Sequence, residues 1–157
     1  MFRQYYPQVF RQLAYLLHDY SLAEDLAQDV FLRLYEHPPK NHGNLGGWLA
    51  QVARNLAFNQ KRNDKNHRRK ETEIVISGEA MTSSQEREWE IIEVGSILSE
   101  MPARDRSLLV LKHSGFTYEE IAVALSINKA SVGTLLARAQ QKFKKLYEEG
   151  EKHGILP

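Results

Sequence analysis

The sequence predicts an all-α fold of two small helical domains joined by a flexible linker, with a helix-turn-helix in the second domain. Apolar residues recur at helical spacing through most of the 157 residues, and 42% of the chain is hydrophobic, enough for packed interiors. One stretch alone, EIVIS at 73–77, alternates as a strand does. Residues 65–85 carry few large apolar side chains, which is typical of a linker. We therefore expect domains at 1–64 and 86–157.

The composition excludes several classes of site. The chain has no cysteine, so neither a disulfide nor a thiolate metal site can form. Its six histidines are scattered, and no HExxH, phosphate-binding loop or nucleophile motif is present, so we expect no enzyme activity, no metal and no cofactor. No apolar run is long enough to span a bilayer, and the first residues lack the apolar core of a signal peptide. We therefore expect a cytoplasmic protein.

Charge is divided along the chain, although the formal net charge is only +1. Residues 61–70 carry six basic side chains against one acid, and residues 129–147 carry five basic side chains and no acid. Residues 19–36 reverse the sign, with five acids against Arg33. Because binding depends on local charge, this pattern indicates two basic surfaces and one acidic surface, which suit different partners.

The first amphipathic helix is expected from Ser21 to about Glu36. Ser21 and Glu24 have the spacing of a capping box, and Pro38-Pro39 prevent continuation. Its apolar face collects Leu22, Ala23, Leu26, Val30 and Leu34. The opposite face collects Asp25, Gln28, Asp29, Leu32 and Glu36. An exposed leucine among acids is suited to contact a basic protein partner.

The next helix is expected from about Gly47 to Arg62. Leu49, Val52, Ala53 and Leu56 would form its buried stripe. The other side presents Trp48, Gln51, Asn55, Phe58, Asn59 and Arg62. Aromatic rings can stack on unpaired bases, amides can bond base edges and arginine can hold phosphate, so this stripe suits single-stranded nucleic acid.

The second domain is expected to hold four helices. The first is an acidic amphipathic helix that ends near Met101-Pro102 and carries the apolar residues Trp89, Ile92, Ile97 and Leu98. The second runs over 104–113 and is closed by Gly115. Thr117 and Glu120 form a capping box for the third helix, and Asn128 caps the fourth after a short turn. These features predict a helix-turn-helix.

The fourth of these helices would read duplex DNA. Its predicted buried residues are Val132, Leu136, Ala139, Phe143 and Leu146, and its predicted outward residues are Ala130, Ser131, Thr134, Ala137, Arg138 and Gln141. The small outward residues would let the helix backbone enter the major groove closely, and Arg138 would meet guanine or phosphate. Gly133 and Leu135 lie at the flanks. We therefore expect DNA reading with little direct hydrogen bonding to bases.

The chain closely resembles a bacterial RNA polymerase sigma factor of the extracytoplasmic-function group in three segments, DLAQDVFLRLYE, WLAQVARNLAFN and LSEMPARDRSLLVLKHSGFTYEEIAVALSINKASVGTLLARA. The resemblance spans nearly the whole chain. It implies that the first domain binds the polymerase clamp and the minus-ten promoter element, and that the second binds the minus-thirty-five element. The implied partners are core RNA polymerase, promoter DNA as duplex and melted strand, and an inhibitory anti-sigma factor, membrane-bound in some cases.

The residue patterns and the resemblance together predict three sites. The predicted polymerase-binding residues are Asp25, Gln28, Asp29 and Leu32. The predicted minus-ten residues are Asn44, Trp48, Asn55, Asn59, Lys61 and Arg62, and by resemblance the loop at 42–45 holds a flipped base. The predicted minus-thirty-five residues are Lys129, Ala130, Ser131, Thr134, Arg138 and Lys142.

Two features depart from the family pattern. The family usually has more chain before its first tyrosine-rich helix, so residues 1–10 are expected to begin inside an element. The basic residues that the family often has at the positions of Gly133 and Leu135 are missing. This shifts recognition of the upstream element toward DNA shape and phosphate contacts.

Two other functions remain open from the sequence. A helix-turn-helix regulator that works without polymerase should have a ligand pocket in its first domain instead of an acidic face with an exposed leucine. An adaptor that binds only proteins should lack a stripe suited to base stacking. Binding to core polymerase distinguishes both from a sigma factor.

Overall fold

Helices account for nearly all of the chain that the computed structural model describes, which comprises residues 2–40, 42–64 and 83–152. The elements are α1 (Phe2–Leu17), α2 (Tyr20–Glu36), a short 3₁₀ helix (His42–Asn44), α3 (Leu45–Asp64), α4 (Ser83–Leu98), α5 (Ala103–His113), α6 (Tyr118–Leu125) and α7 (Lys129–Lys152). No strand occurs within these ranges, so the all-α prediction is confirmed there. The strand-like stretch at 73–77 and most of the predicted linker lie outside the described residues.

The first half packs α1, α2 and α3 against one another. Val9, Leu13 and Leu16 of α1 are fully or almost fully buried. The amide of Gln12 is buried among them, and its Nε2 donates to the carbonyl oxygen of Ala50 at 2.8 Å. This bond joins α1 to α3 and offsets part of the cost of burying a polar side chain.

The predicted capping box of α2 is wrong. The helix begins at Tyr20, and its N-cap is Asp19, whose Oδ1 accepts from the amide of Leu22 at 3.1 Å. Aspartate caps a helix as well as serine does, and here it is the earlier of two capping residues. Because α1 ends at Leu17 and His18 takes a left-handed φ of 39°, the chain turns early enough for Asp19 to act as the cap.

The second half packs α4 to α7 around Leu108, Leu111 and Phe116. In α4, Ile91, Ile97 and Leu98 are buried, whereas Trp89 is 38% exposed. The helix packs against both α1 and α7, so apolar residues are needed on more than one side of it.

The predicted helix-turn-helix is confirmed. In the capping box of α6, the amide of Glu120 donates to Thr117 Oγ1 at 3.1 Å, and the amide of Thr117 donates to Glu120 Oε1 at 2.9 Å. Gly115 closes α5 with a φ of +98°, a conformation that glycine adopts without strain. Ser126 is left-handed in the turn, and Asn128 Oδ1 accepts from the amide of Ala130 at 3.0 Å.

The two halves are in contact, and we call this the closed arrangement. α6 lies against the N-terminal part of α3, and α1 lies against α4 and α5. A cavity of about 340 Å³ lies between α1 and the helices α4, α5 and α7.

Within the described ranges, no single helix is long and apolar enough to cross a bilayer, and the pair α6 and α7 reaches that length only with a bend of 90° between them.

Candidate polymerase and nucleic-acid interfaces

The face of α2 that points away from the core carries the predicted polymerase-binding residues. Asp25, Gln28 and Asp29 are exposed, and Leu32 is 56% exposed. Of the predicted apolar side of the helix, Ala23, Leu26 and Val30 are buried, whereas Leu22 and Leu34 are half-buried. The acidic face, meaning Asp25, Gln28, Asp29 and Leu32, is thus free of contacts that would hide it from a partner.

Tyr35 adds an apolar group to this face that the sequence analysis missed. Its side chain is 86% exposed and lies one turn after Leu32. The 3.6-residue period places Leu32 and Tyr35 on the same side of α2, so the helical spacing alone could have predicted that Tyr35 belongs to this face. Tyrosine and an adjacent leucine within an acidic rim form a contact surface with an apolar centre.

Half of the predicted minus-ten residues form an exposed row along α3. Asn55, Asn59 and Arg62 are exposed and follow one another at helical spacing. The guanidinium of Arg62 donates to Asn59 Oδ1, so the arginine orients the amide beside it. This row can offer amide donors and acceptors to base edges and a cation to phosphate.

The other predicted minus-ten residues are partly covered. Asn44 Oδ1 caps α3 by accepting from the amide of Gly47 at 2.8 Å, while its Nδ2 donates to the carbonyl oxygen of Glu119 at 3.4 Å. Trp48 and Lys61 are half-buried. The structure therefore divides the predicted site into an exposed row and a portion that meets the second half.

A cluster of cations lies where α3 meets α5. The guanidinium carbons of Arg54 and Arg106 lie 4.9 Å and 5.6 Å from the ring centroid of Phe58. Arg54 Nε donates to Ser107 Oγ at 2.9 Å. The ring of Phe58 is thus engaged by cations, so in the closed arrangement it does not offer a free surface for base stacking.

The cluster is electrostatically unfavourable. Burial, and to a smaller extent the nearby Arg106, lower the pKa of Lys61 to about 8. Burial also lowers the pKa of Arg54, and burial and then Arg54 lower the pKa of Arg106. No described acid forms a salt bridge with any of the three, so their mutual repulsion opposes close packing of α3 and α5.

The outward surface of α7 is arranged as predicted. Ala130, Thr134, Ala137, Arg138 and Gln141 are exposed, and Ser131 is half-buried. Val132, Leu136 and Ala139 are buried beneath them, while Phe143 and Leu146 pack against the core from its edge. Among the predicted outward residues, those before Arg138 are small, and Arg138 is the long cation of that set.

The two lysines predicted to contact the upstream element already have acidic partners. Lys129 Nζ lies 3.8 Å from Glu119 Oε1, and both side chains are well exposed. Lys142 Nζ lies 2.6 Å from Asp105 Oδ2, whose side chain is only 5% exposed. The first pair is weak and easily exchanged, whereas the second joins α7 to α5. Asp105 was not predicted from the sequence, because nothing in the local pattern of α5 distinguishes a buried acid from an exposed one.

The described residues contain no group of three or more histidine, aspartate or glutamate side chains that could hold a metal ion.

Comparisons with known proteins match both halves of the chain. The family model Sigma-70 region 2 matches residues 1–67, and Sigma-70, region 4 matches residues 91–143. The chain is 32% identical to the ECF RNA polymerase sigma factor SigM of Bacillus subtilis, over 96% of this chain and 94% of that protein. It is 27% identical to the RNA polymerase sigma factor YlaC of the same organism, over 92% and 88%.

Two solved structures share the fold. The sigma factor RpoE, in complex with the anti-sigma factor NepR from Bartonella quintana, has a TM-score of 0.66 at 21% identity, and 94% of each chain is covered. CnrH, in complex with the cytosolic domain of CnrY, has a TM-score of 0.68 at 17% identity, covering 94% of this chain and 85% of that one.

Proposed function

The chain belongs to the ECF RNA polymerase sigma factors, and from this premise we propose how its surfaces share the work of starting transcription. A sigma factor binds core RNA polymerase, directs it to promoters and helps to open the DNA. We assign residues 1–64 to the clamp and the minus-ten element, residues 65–85 to a linker and residues 86–157 to the minus-thirty-five element. The alternative, a helix-turn-helix regulator without polymerase, is not favoured.

The observation that carries this proposal is the acidic face of α2. Leu32 is 56% exposed and Tyr35 is 86% exposed, with Asp25 and Asp29 beside them. A lone regulator has no use for such a surface, whereas a subunit that must dock on a larger enzyme does. Apolar anchors give affinity, and the surrounding acids guide approach to a basic partner surface.

The second step assigns melted DNA to α3. Asn55, Asn59 and Arg62 form the exposed row there, and the segment at 42–45 precedes it. Unstacking a base costs a few kcal/mol, and a site that holds the freed base offsets that cost. The row therefore stabilises an opened strand without catalysing any covalent step.

The third step assigns the upstream duplex to α7. Ala130, Thr134 and Ala137 let the helix come close to the groove, and Arg138 provides charge. Contacts of this kind read thymine methyl groups, groove shape and phosphate more than hydrogen-bonding patterns. Affinity for the upstream element should consequently fall steeply as salt is raised.

We further propose an anti-sigma factor as a partner. The cavity between the halves is lined by Tyr15 from α1 and by Leu98, Leu109 and Phe143 from the second half. A protein that places apolar side chains there would contact both halves at once, which suits an inhibitor.

A competition assay tests the docking surface. Labelled wild-type protein bound to core RNA polymerase is displaced by unlabelled wild type, by Asp29→Lys with Leu32→Ala, or by the control Glu100→Lys. Since buried apolar anchors contribute most of an interface's affinity, we expect the double variant to bind at least about tenfold more weakly. Circular dichroism should show unchanged helix content, because both positions point outward. Equal displacement by all three proteins would rule out the docking assignment.

A further inference from the structure

We propose that Arg54, Lys61 and Arg106 form a binding site between α3 and α5 for a compact phosphate anion, such as pyrophosphate or the phosphate groups of a nucleotide. We call these three residues the cation cluster. The site goes beyond the proposed function, because it depends neither on polymerase binding nor on the exposed row of α3.

Helical spacing separates the cation cluster from the row assigned to melted DNA. Arg54, Phe58 and Lys61 follow one another at intervals of four and three residues, so they share one side of α3. The exposed row has the same intervals but begins one position later, so it lies about 100° around the helix. Lys61, predicted to contact the minus-ten strand, is instead half-buried near Arg106 of α5.

The two arginines of the cation cluster are held in fixed orientations. Arg54 Nε donates to Ser107 Oγ at 2.9 Å. Arg106 Nε donates to the carbonyl oxygen of Leu98 at 2.9 Å, and its Nη2 donates to the carbonyl oxygen of Met101 at 2.9 Å. A donor group that is already ordered loses little entropy when a ligand binds, so both guanidinium groups are prepared to receive an anion.

Several donors of the cation cluster remain free to hold an anion. No bond to a described residue uses either Nη nitrogen of Arg54 or the Nη1 nitrogen of Arg106. Lys61 Nζ forms neither a hydrogen bond nor an ion pair with any side chain that the structure describes. Guanidinium groups can bind two phosphate oxygens in parallel, and an ammonium group adds a point charge. These donors therefore suit a phosphate group.

The charge of the cation cluster is not balanced within the part of the chain that the structure describes. No acidic side chain described there forms a salt bridge with any of the three cations. The ring of Phe58 contributes only about 0.5–2 kcal/mol per guanidinium group and no net charge. A phosphate group carries about two negative charges, whereas a carboxylate carries one, so phosphate compensates more of the cluster.

Desolvation of the cation cluster supports the same assignment. Burial lowers the pKa of all three cations, and neighbouring cations contribute to the lowered pKa of Lys61 and of Arg106. Holding unpaired cations together out of water costs folding free energy. A bound phosphate supplies the missing opposite charge, so it offsets this cost and stabilises the contact between α3 and α5.

Isothermal titration calorimetry of the full chain with pyrophosphate tests the site. Lys61→Met keeps much of the aliphatic side chain and removes its charge, and Arg11→Met, at an exposed position on α1, is the matched control. We expect the wild type and the control to bind pyrophosphate, and Lys61→Met to bind at least about tenfold more weakly. Undetectable binding by the wild type, or equal binding by all three proteins, would overturn the site.

Thermal unfolding separates anion binding from a structural role of Lys61. Because Lys61→Met removes an unpaired, half-buried charge, we expect it to raise the unfolding midpoint when no anion is present. Pyrophosphate should raise the midpoint of the wild type and leave that of Lys61→Met nearly unchanged. A lower midpoint for Lys61→Met, with no effect of pyrophosphate on the wild type, would show that the lysine is structural and overturn the proposal.

The pH dependence of sulfate binding gives a second readout, because the charge of sulfate is constant in this range. The pKa of Lys61 is about 8, and the other two members of the cation cluster stay charged. The protonated lysine binds the anion and is lost as the pH rises, so the wild type should bind sulfate more weakly at about pH 9 than at about pH 7. Lys61→Arg should bind equally at both. The same pH dependence in both proteins would overturn the role of Lys61.

Competition at constant ionic strength identifies the source of the phosphate. A labelled single strand of about 12 nucleotides is bound to the full chain, and its fluorescence anisotropy is followed as pyrophosphate is added. We expect the strand to stay bound, because the exposed row lies on another side of α3. Displacement from the wild type but not from Lys61→Met would overturn the free anion and place a nucleic-acid phosphate in the site. Pyrophosphate binding without any strand binding would support the site and contradict the DNA role of α3.

Discussion

At the scale of single residues, Gly133 departs from the family pattern, which often has a basic residue at this position. A Cβ at this position would lie 3.7 Å from Tyr118 Cε2, which is ordinary van der Waals contact. Nothing in the described helix-turn-helix therefore requires glycine here. If the glycine serves close approach to DNA, the reason lies in the complex and not in the folded chain.

We predict that Gly133→Arg strengthens binding to an upstream promoter element and makes it more sensitive to salt, because one more cation meets DNA. It should also raise the unfolding midpoint, since glycine inside a helix costs about 1 kcal/mol relative to a good helix former. Gly133→Ala is the matched control, because it gains helix stability without charge. Affinity is measured at two salt concentrations. Weaker binding of the arginine variant at both, with the fold intact, would show that glycine is needed for proximity.

At the scale of elements, the sequence predicted a helix end correctly where one capping or stop residue had no competitor nearby. The caps at Thr117 and Asn128 and the stop at Gly115 lie where the sequence placed them. The start of α2 was misplaced because two capping residues compete there and only the turn after α1 decides between them. The burial of Ile91 in α4 was not predicted, because contact with two other helices is not visible in one helix's own periodicity.

The link between α5 and α7 gives a prediction at this scale. Lys142→Met should lower the free energy of unfolding by about 1–3 kcal/mol, because it leaves the buried Asp105 carboxylate unpaired. Lys144→Met, at an exposed position, is the control and should leave stability nearly unchanged. The salt dependence of DNA binding is measured alongside. If Lys142→Met clearly reduced the salt dependence of DNA binding but left the free energy of unfolding nearly unchanged, the main role of Lys142 would instead be a phosphate contact.

At the scale of the whole molecule, the sequence was sufficient for the fold class, two halves and three candidate surfaces, but not for how the halves meet. Gln8 contacts Gly115 and Arg54 contacts Ser107, although the partners lie far apart in the chain. Neither hydrophobic periodicity nor a motif predicts these contacts. For the same reason the sequence did not show that Asn44 and Trp48 would be partly covered while Asn55 and Asn59 stay exposed. Such pairings depend on the packing of complete helices.

The most direct test of the central claim, that this chain directs RNA polymerase and stabilises melted promoter DNA, is transcription from templates in two states. Start sites are first located by sequencing transcripts made from genomic fragments with core polymerase and the chain. Wild type and Asn55→Ala with Asn59→Ala are then compared on duplex templates and on templates already mismatched at the minus-ten element. We predict a large loss on duplex and a small loss on mismatched DNA, because the mismatch removes the unstacking cost. Equal losses on both, or no discrete start sites with the wild type, would contradict the account.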